Sequence, residues 1–379
     1  MAFRFVHTAD IHLDSPLRSL VLRNPDLAEL VGDASRQAFV SIIDLCLAER
    51  VDALVIALSR ISKQLVFPDT VTIFGGRPQS VLQTAGGLDV AFHGLSFANP
   101  KAPESLLPKY PAAREGAVNV GIMHTSLAGS PGHDVYAPCS IADLHGHGFD
   151  YWALGHIHVR QVHPGASTVV MTGMPQGRDI NEAGEKSATL VTIREDRSVE
   201  IEEKLTSIAQ FERASVDLTG TVEWSEVVGR VRSALEGIRG SVRSRHVVVR
   251  LGLAGASPLS WALIRDRDLL LAEAEQAAEQ TGDTWVEKLE LDLAPQSAET
   301  AHDVADPIFE LAQSMHANVK SEAFRAEARA LVQKMIADLP PDGRDFAGRD
   351  EAGLELFIDK VLASGADLVT ARLKAGGAQ

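Results

Sequence analysis

The opening of the chain constrains its fold most strongly, because two short apolar segments flank a helical pattern. Residues 3–10 are apolar enough to form a buried strand, and residues 51–57 are predicted to form a second one. Between them, residues 36–50 carry apolar side chains at helical spacing, and Asp33 or Ser35 is the expected helix cap. A strand, a helix and a parallel strand make a βαβ unit, so this part of the chain is predicted to be α/β.

The rest of the sequence indicates one layered α/β domain followed by two further regions. Short strand patterns continue to residue 204, which makes residues 1–207 the first predicted domain. Residues 208–300 alternate strand and helix patterns and predict a small α+β module, and residues 301–379 predict a helical C-terminal tail. A chain of 379 residues is long enough for this division.

Composition narrows the class of protein. The formal net charge of −15 argues against a protein that coats nucleic acid by bulk charge, so any DNA contact requires a local basic patch. The only two cysteines, Cys46 and Cys139, form no metal-ligand spacing and are typical of a reducing compartment. No signal segment and no apolar run of membrane-spanning length is recognisable, so we expect a cytoplasmic protein without a membrane partner.

Polar side chains follow three of the predicted strands, at the point where each strand ends. The set comprises Asp10, His12, His124, His156 and His158. Because the carboxyl ends of strands in an open α/β sheet form the functional crevice, we expect these side chains to meet at one edge. Carboxylate oxygens and imidazole nitrogens are common ligands of divalent transition metals, so the pattern predicts a metal site.

Simpler interpretations apply to individual histidines and to the arginines of the second module. A single histidine such as His124 could be a packed edge residue, but Gly155 before His156 allows a close backbone approach and favours a site. His7 points to the opposite face from His12 and is expected in the core, whereas His93 could lie just outside the site. Arginines between residues 230 and 250 either form a groove wall for a DNA backbone or lie on a solvated surface.

At this point the motifs resemble those of a known family. Asp10-x-His12, His124 and Gly155-His156-x-His158 resemble the motifs of calcineurin-like metallophosphoesterases. The wider segments at residues 3–17 and 93–97 are similar to those of bacterial DNA-repair exonucleases, the SbcD-like proteins, and in particular their YhaO-like branch.

The resemblance implies a layered sheet sandwich with helices outside and a site for two metal ions, usually manganese. In the family pattern Asp10, His12 and His158 belong to one ion, and His124 and His156 belong to the other. Such a pair of ions activates a water and clamps a phosphodiester. The implied partners are DNA and an SbcC-like coiled-coil ATPase, with a homodimer as a further option.

Two family motifs are missing from this sequence. The family has Gly-Asp-x-x-Asp at the end of its second strand and Gly-Asn-His-Asp after its third, but here the chain reads Ile56-Ala57-Leu58. An internal deletion between Ala57 and Leu58, roughly one strand–helix unit of about 30 residues or more, would explain both losses. The bridging carboxylate, an asparagine ligand and a catalytic histidine would then be absent.

The sequence therefore leaves three functions open. The first is a DNA-repair exonuclease that hydrolyses phosphodiester bonds with an impaired di-metal site. The second is a catalytically inactive scaffold that binds a partner ATPase or DNA, and the third is a phosphodiesterase for a small nucleotide. Serine hydrolysis is excluded, because Ser126 and Ser130 near His124 have no His/Asp relay to activate them.

Overall fold

The structure is a computed structural model of the chain. It describes residues 2–13, 25–58, 68–96, 102–127, 136–295, 307–339, 344, 346–348 and 350–376. Two compact units are distinguished, one of Met1–Arg213, Ile238–Arg250 and Asp283–Glu287, and one of Ala214–Gly237, Leu251–Gly282 and Lys288–Gln379. The expected domain limits at residues 207 and 300 stay predictions.

The first unit contains two β-sheets. The smaller has the order β10-β9-β1-β2 and consists of β1 (Ala2–Ala9), β2 (Ala53–Ala57), β9 (Ser187–Arg194) and β10 (Val199–Leu205). The larger has the order β3-β4-β5-β6-β8-β7 and consists of β3 (Gln79–Ala85), β4 (Leu88–Gly94), β5 (Val118–His124), β6 (Tyr151–Gly155), β7 (Gln161–His163) and β8 (Thr168–Met171).

Strand direction and register decide where the strands end. In the smaller sheet β1 is parallel to β2, with Ala9 opposite Ala57. In the larger sheet β4, β5, β6 and β8 run parallel, and His124 lies opposite Gly155. The residues that follow β1, β5 and β6 therefore emerge at the carboxyl ends of parallel strands.

The two sheets enclose one apolar core, as the predicted sandwich requires. Alternate side chains of each strand point inward, and the buried set from the two sheets is Phe3, Phe5, Val55, Val90, Phe92, Val118, Val120, Tyr151, Ala153, Val170, Val191 and Ile193. The rings of Phe5 and Tyr151, one from each sheet, meet edge to face with centroids 5.5 Å apart. The predicted layered α/β class is confirmed.

Helices cover the outer face of each sheet. The helix α1 (Pro25–Glu49) packs Ile42 against Val6, Ala188 and Leu190 of the smaller sheet. The short helix α2 (Ile141–Gly146) buries Leu144 with residues of the larger sheet. Ser140 begins α2 in a capping box with Asp143, in which the side chain of each accepts the backbone N–H of the other.

The expected start of the first helix was wrong. Neither Asp33 nor Ser35 caps α1, because the chain is already helical from Pro25 and continues through Gly32. Leu27 and Val31 are fully buried in a cluster with Phe211. This tertiary packing outweighs the cost of a glycine inside the helix, which is about 1 kcal/mol.

Three short segments of the first unit have structures that their sequence patterns do not indicate. Residues 70–74 have the apolar pattern of a short strand but are not part of a sheet, and the side chains of Val71 and Ile73 are exposed. Residues 103–110 have a helical pattern but form one 3-10 turn, at Leu107–Lys109. The short edge strand β7 gave no recognisable sequence pattern.

The remaining elements have the α+β and helical character that was predicted for the second module and the C-terminal tail. They are β11 (Ala209–Asp217), α3 (Trp224–Ser241), β12 (His246–Ser257), α4 (Ser260–Arg265), α5 (Arg267–Thr281), β13 (Thr284–Pro295), α6 (Pro307–Asn318), α7 (Glu322–Asp338) and α8 (Glu351–Gly376). The three strands form a sheet of order β11-β12-β13. Residues 307–338 have a helical pattern throughout but form two helices, because Ser321 accepts the Phe324 N–H and begins α7.

Among the described residues, no helix is both long and apolar enough to cross a membrane.

Candidate metal centre

Side chains from both sheets meet where β1, β5 and β6 end. Asp10 and His12 follow β1 of the smaller sheet, whereas His124 ends β5 and His156 and His158 follow β6 of the larger sheet. The expectation of one sheet edge is thus corrected, because two facing sheets contribute to the site. The five predicted residues nevertheless lie together.

Backbone strain is concentrated at this place. Asp10 has φ 45°, His12 has φ 49° and His156 has φ 103°, all outside the usual range for residues with a side chain. Each such conformation costs about 1–3 kcal/mol and persists only where the surrounding structure enforces it. Strain at three of the five residues indicates a functional constraint on where their side chains point.

Asp10, His12 and His158 form a cluster suited to one metal ion. One ligand atom from each lies within 4.8 Å of the others, and among the described residues this is the one group of three or more His, Cys, Asp or Glu side chains that meets this condition. The Nε2 atoms of His12 and His158 face each other at 3.2 Å. Two imidazole nitrogens bound to the same tetrahedral zinc ion stand about 3.3 Å apart, so the spacing fits a shared cation.

His124 and His156 form a second pair beside this cluster. Nδ1 of His156 lies 3.3 Å from Nε2 of His124. The ring of Tyr136 stacks on His156 with centroids 5.3 Å apart and meets His124 edge-on. The pair thus offers two nitrogens and is held in place by an aromatic side chain.

The carboxylate of Asp10, itself part of the cluster, also lies close to the second pair. The backbone N–H of His156 donates to its Oδ2 at 2.7 Å, and its Oδ1 is 3.8 Å from Nδ1 of His124. No carboxylate comes from the end of β2, where Ala57 and Leu58 stand. The second pair is therefore poorer in ligands than the cluster of Asp10, His12 and His158.

Gly155 allows the strands to approach closely enough for this arrangement. A Cβ on Gly155 would lie 2.6 Å from the carbonyl oxygen of Ala57, 2.9 Å from Cβ of Ala9 and 3.1 Å from Nδ1 of His124. Ordinary contact begins near 3.4 Å. The expected close backbone approach at Gly155 is confirmed.

The lowered pKa values of two of the imidazoles favour the binding of a cation. Burial, together with Arg178 and His158, lowers the pKa of His12 to about 4. Burial and the neighbouring His156 lower the pKa of His124 to about 3. Both rings are neutral at pH 7 and keep a free lone pair, whereas burial raises the pKa of Asp10.

Sequence reasoning missed two residues of the site, Glu182 and Arg178. Oε1 of Glu182 accepts a hydrogen bond from Nδ1 of His158 at 2.9 Å. Burial opposes ionisation of Glu182, but hydrogen bonds from His158 and Arg178 outweigh it and hold the pKa of this carboxyl far below its usual range. The only sequence signal was the spacing of four residues between Arg178 and Glu182, which is common in proteins.

Other histidines serve packing. His7 is fully buried, and its ring nitrogens lie 2.9 Å from the Tyr151 hydroxyl and 3.2 Å from the Leu154 carbonyl, which confirms the expected core role. His93 is also buried and bonds to Ser80 and Asn119, not to the site. His133 and Ser130 lie outside the described residues.

Four arginines of the suggested basic groove wall are engaged within the chain. Arg230, Arg243 and Arg250 pair with Glu226, Glu185 and Glu287 respectively, and Arg239 donates to three backbone carbonyls. A paired arginine must give up its partner before it can bind a phosphate. These contacts favour the structural interpretation of the cluster.

Two comparisons with known proteins bear on the identity of the site. Residues 211–294 match the family model described as "Metallophosphoesterase YhaO, middle domain". The chain is also 27% identical over 336 residues to a protein of Bacillus subtilis (strain 168) named "Uncharacterized metallophosphoesterase YhaO". The aligned region covers 76% of this chain and 81% of that protein. The findings support a YhaO-like metallophosphoesterase family.

Similarity to YhaO-like metallophosphoesterases gives the cluster of Asp10, His12 and His158 a chemical meaning. Metallophosphoesterases use divalent metal ions, and the geometry of this cluster suits one. The matched middle domain lies outside the residues that carry the site. The similarity to the Bacillus protein extends over most of both chains.

Proposed function

We propose that the chain is a divalent-metal-dependent phosphoesterase of the DNA-repair exonuclease type, with DNA as substrate and manganese as its metal. The observation that carries this proposal is the convergence of Asp10, His12 and His158 within 4.8 Å. The YhaO-like similarity and the order of the motifs along the chain support the reaction class.

The chain's own groups define how such a site would work. Asp10, His12 and His158 hold the better-equipped cation position, and His124 with His156 offers two further nitrogens. A divalent ion bound there supplies Lewis acidity toward a phosphate oxygen and lowers the pKa of water. The backbone N–H of His156 orients the Asp10 carboxylate, and burial of Asp10 and His124 limits the access of water to these two residues.

Activity is expected to be weak, because the second position lacks a carboxylate ligand. Two cations a few ångströms apart repel strongly unless shared anionic ligands compensate their charges. Among the described residues, Asp10 is the carboxylate that lies between the two groups of imidazoles. We therefore propose one well-held ion, with a second held loosely or absent.

The exposed face beside β2 supports the proposed deletion between Ala57 and Leu58. Within the described residues β2 pairs only with β1, which leaves an apolar parallel strand at the edge of its sheet. An apolar strand with an unpaired edge is normally paired or covered in native proteins. On α1, the side chains of Val40 and Leu47 are 56% and 70% exposed, which is consistent with a lost covering unit.

A catalytically inactive scaffold is the second candidate function. It is favoured by the same missing carboxylate at the end of β2, together with the retained middle domain and C-terminal helices. In this role the chain would bind DNA or an SbcC-like coiled-coil ATPase, alone or as a homodimer. Both cysteines are free thiols, which suits the proposed cytoplasmic location.

Hydrolysis of linear duplex DNA in the presence of manganese tests the proposal. The purified full chain should release nucleotides, and Asp10→Ala and His158→Ala should abolish the release. His316→Gln is a matched control, since His316 pairs with Asp367 in the helical tail. No cleavage, or cleavage that Asp10→Ala and His158→Ala leave unchanged, would favour the scaffold.

Sequencing of the coding DNA across Ala57–Leu58 tests the deletion separately. A coding region for a further strand–helix unit at this point would show that the gap does not belong to the natural protein. An uninterrupted reading frame through the same codons would show that the shortened chain is what the organism makes.

A further inference from the structure

Glu182 and Arg178 form a partly buried ion pair directly behind His158. Arg178 donates from its guanidinium Nε to Oε2 at 3.1 Å and from its terminal nitrogen to Oε1 at 2.5 Å. The backbone N–H of Arg178 donates to Oε2 as well, at 2.8 Å. Since the Glu182 side chain is only 11% exposed, three hydrogen bonds from one residue hold this carboxylate in one place.

The backbone under Glu182 is equally well defined. Glu182 ends a 3-10 turn at Ile180–Glu182, and its N–H donates to the Asp179 carbonyl at 3.0 Å. The Asp179 side chain accepts the Asn181 N–H at 2.7 Å and begins the turn. The carboxylate therefore extends from a capped turn toward His158, and its position does not depend on a bound ion.

A fixed carboxylate determines which nitrogen of His158 carries the proton. An ionised carboxylate can only accept hydrogen bonds, so the Nδ1 of His158 must donate to Oε1. In the neutral ring the lone pair then resides on Nε2, the atom that faces His12 at 3.2 Å. The nitrogen available for a cation is the one directed into the cluster.

We propose that Glu182, anchored by Arg178, is a positioning residue that holds His158 in the Nδ1–H tautomer and directs its Nε2 to the cation. This inference deepens the proposed function and rests on it, because it assigns a role at the same metal site. Carboxylates that orient a ligating histidine typically contribute 10–100-fold to metal affinity, so about that loss is expected without Glu182.

A purely structural ion pair is the competing explanation for the same contacts. In that case Glu182 would matter for stability alone, and its loss would leave both the affinity for metal and the His158 tautomer unchanged. The two explanations therefore differ in measurements that do not involve catalysis.

The test measures manganese affinity by calorimetry in the full chain, its Glu182→Gln variant and its Glu185→Gln variant. Glu185 is a matched control, because it lies three residues further along and pairs with Arg243 at 2.7 Å on the surface. We expect the dissociation constant to rise about 10–100-fold in Glu182→Gln and to stay within about twofold in Glu185→Gln. Equal affinities in the full chain and in Glu182→Gln would overturn the proposal.

Nitrogen NMR of the His158 ring in the metal-free protein provides a second readout. The resonance can be assigned by its loss in His158→Asn, and it should show the Nδ1–H tautomer in the unaltered chain and a mixture in Glu182→Gln. An Nε2–H tautomer in the unaltered chain would refute the role of Glu182, whatever the variant does. If the unaltered chain binds no manganese, the proposed function fails, and the tautomer alone decides whether Glu182 positions His158.

Discussion

Replacement of Gly155 by alanine tests whether close strand approach builds the site. Gly155 ends β6 immediately before His156 and lies opposite His124. The added methyl group would stand 2.6 Å from the Ala57 carbonyl oxygen, about 0.8 Å nearer than ordinary contact at 3.4 Å. Ala57 and Ala9 lie on β2 and β1, which are hydrogen-bonded to each other in the smaller sheet. We therefore expect β6 itself to move.

The magnitude follows from the size of this clash. Inserting a methyl group into a well-packed interior typically costs about 1–3 kcal/mol, and a backbone oxygen cannot rotate away as a side chain would. A metal site tolerates displacements of only about 0.5 Å. We therefore expect Gly155→Ala to lower the free energy of unfolding by about 1–3 kcal/mol and to weaken manganese binding at least about tenfold.

Urea denaturation and manganese calorimetry would measure both effects. Gly146→Ala is the matched control, because a Cβ at Gly146 meets nothing within 4 Å. That variant should keep its stability within about 0.5 kcal/mol and its metal affinity unchanged. If Gly155→Ala behaves like Gly146→Ala in both measurements, the close approach at β6 does not shape the site.

Two further predictions concern stability. Burial lowers the pKa of His7 to about 3. Between pH 6.5 and pH 3, His7 is therefore protonated in the unfolded chain and neutral in the folded chain. Because the unfolded chain binds more protons, the free energy of unfolding falls as the pH falls. Between pH 7 and pH 4.5 this loss is about 3 kcal/mol, and it should be absent in His7→Gln; parallel pH profiles from denaturation of the two proteins would contradict the assignment. On α1, Ile42→Ala should cost about 2–5 kcal/mol and Leu47→Ala less than about 0.5 kcal/mol, because Ile42 is fully buried and Leu47 is 70% exposed. Similar urea midpoints for these two variants would show that the outer face of α1 is covered in solution.

The sequence predicted β1, β5, β6 and β9 well because their apolar patterns reflect burial on both faces. It did not predict the start of α1, because Gly32 and Asp33 imitate a local helix start while Leu27 and Val31 are buried by a distant part of the chain. Capping patterns report local preferences, and distant packing can override them.

The candidate site shows the same division. The position of Asp10, His12, His124, His156 and His158 after strand ends was readable, because each stands directly behind an apolar strand pattern. Their origin in two facing sheets could not be predicted, because no local sequence pattern determines how two sheets stack. The role of Glu182 could not be predicted, because its partner His158 lies 24 residues away in sequence, across a loop and a strand pair.

Crystals of the full chain soaked with manganese, measured at the manganese absorption edge, test the central claim most directly. We expect one strong anomalous peak between Asp10, His12 and His158, and a weaker peak or none beside His124 and His156. Absence of any peak at the cluster, with manganese present in the crystal, would contradict the assignment of this place as a metal centre.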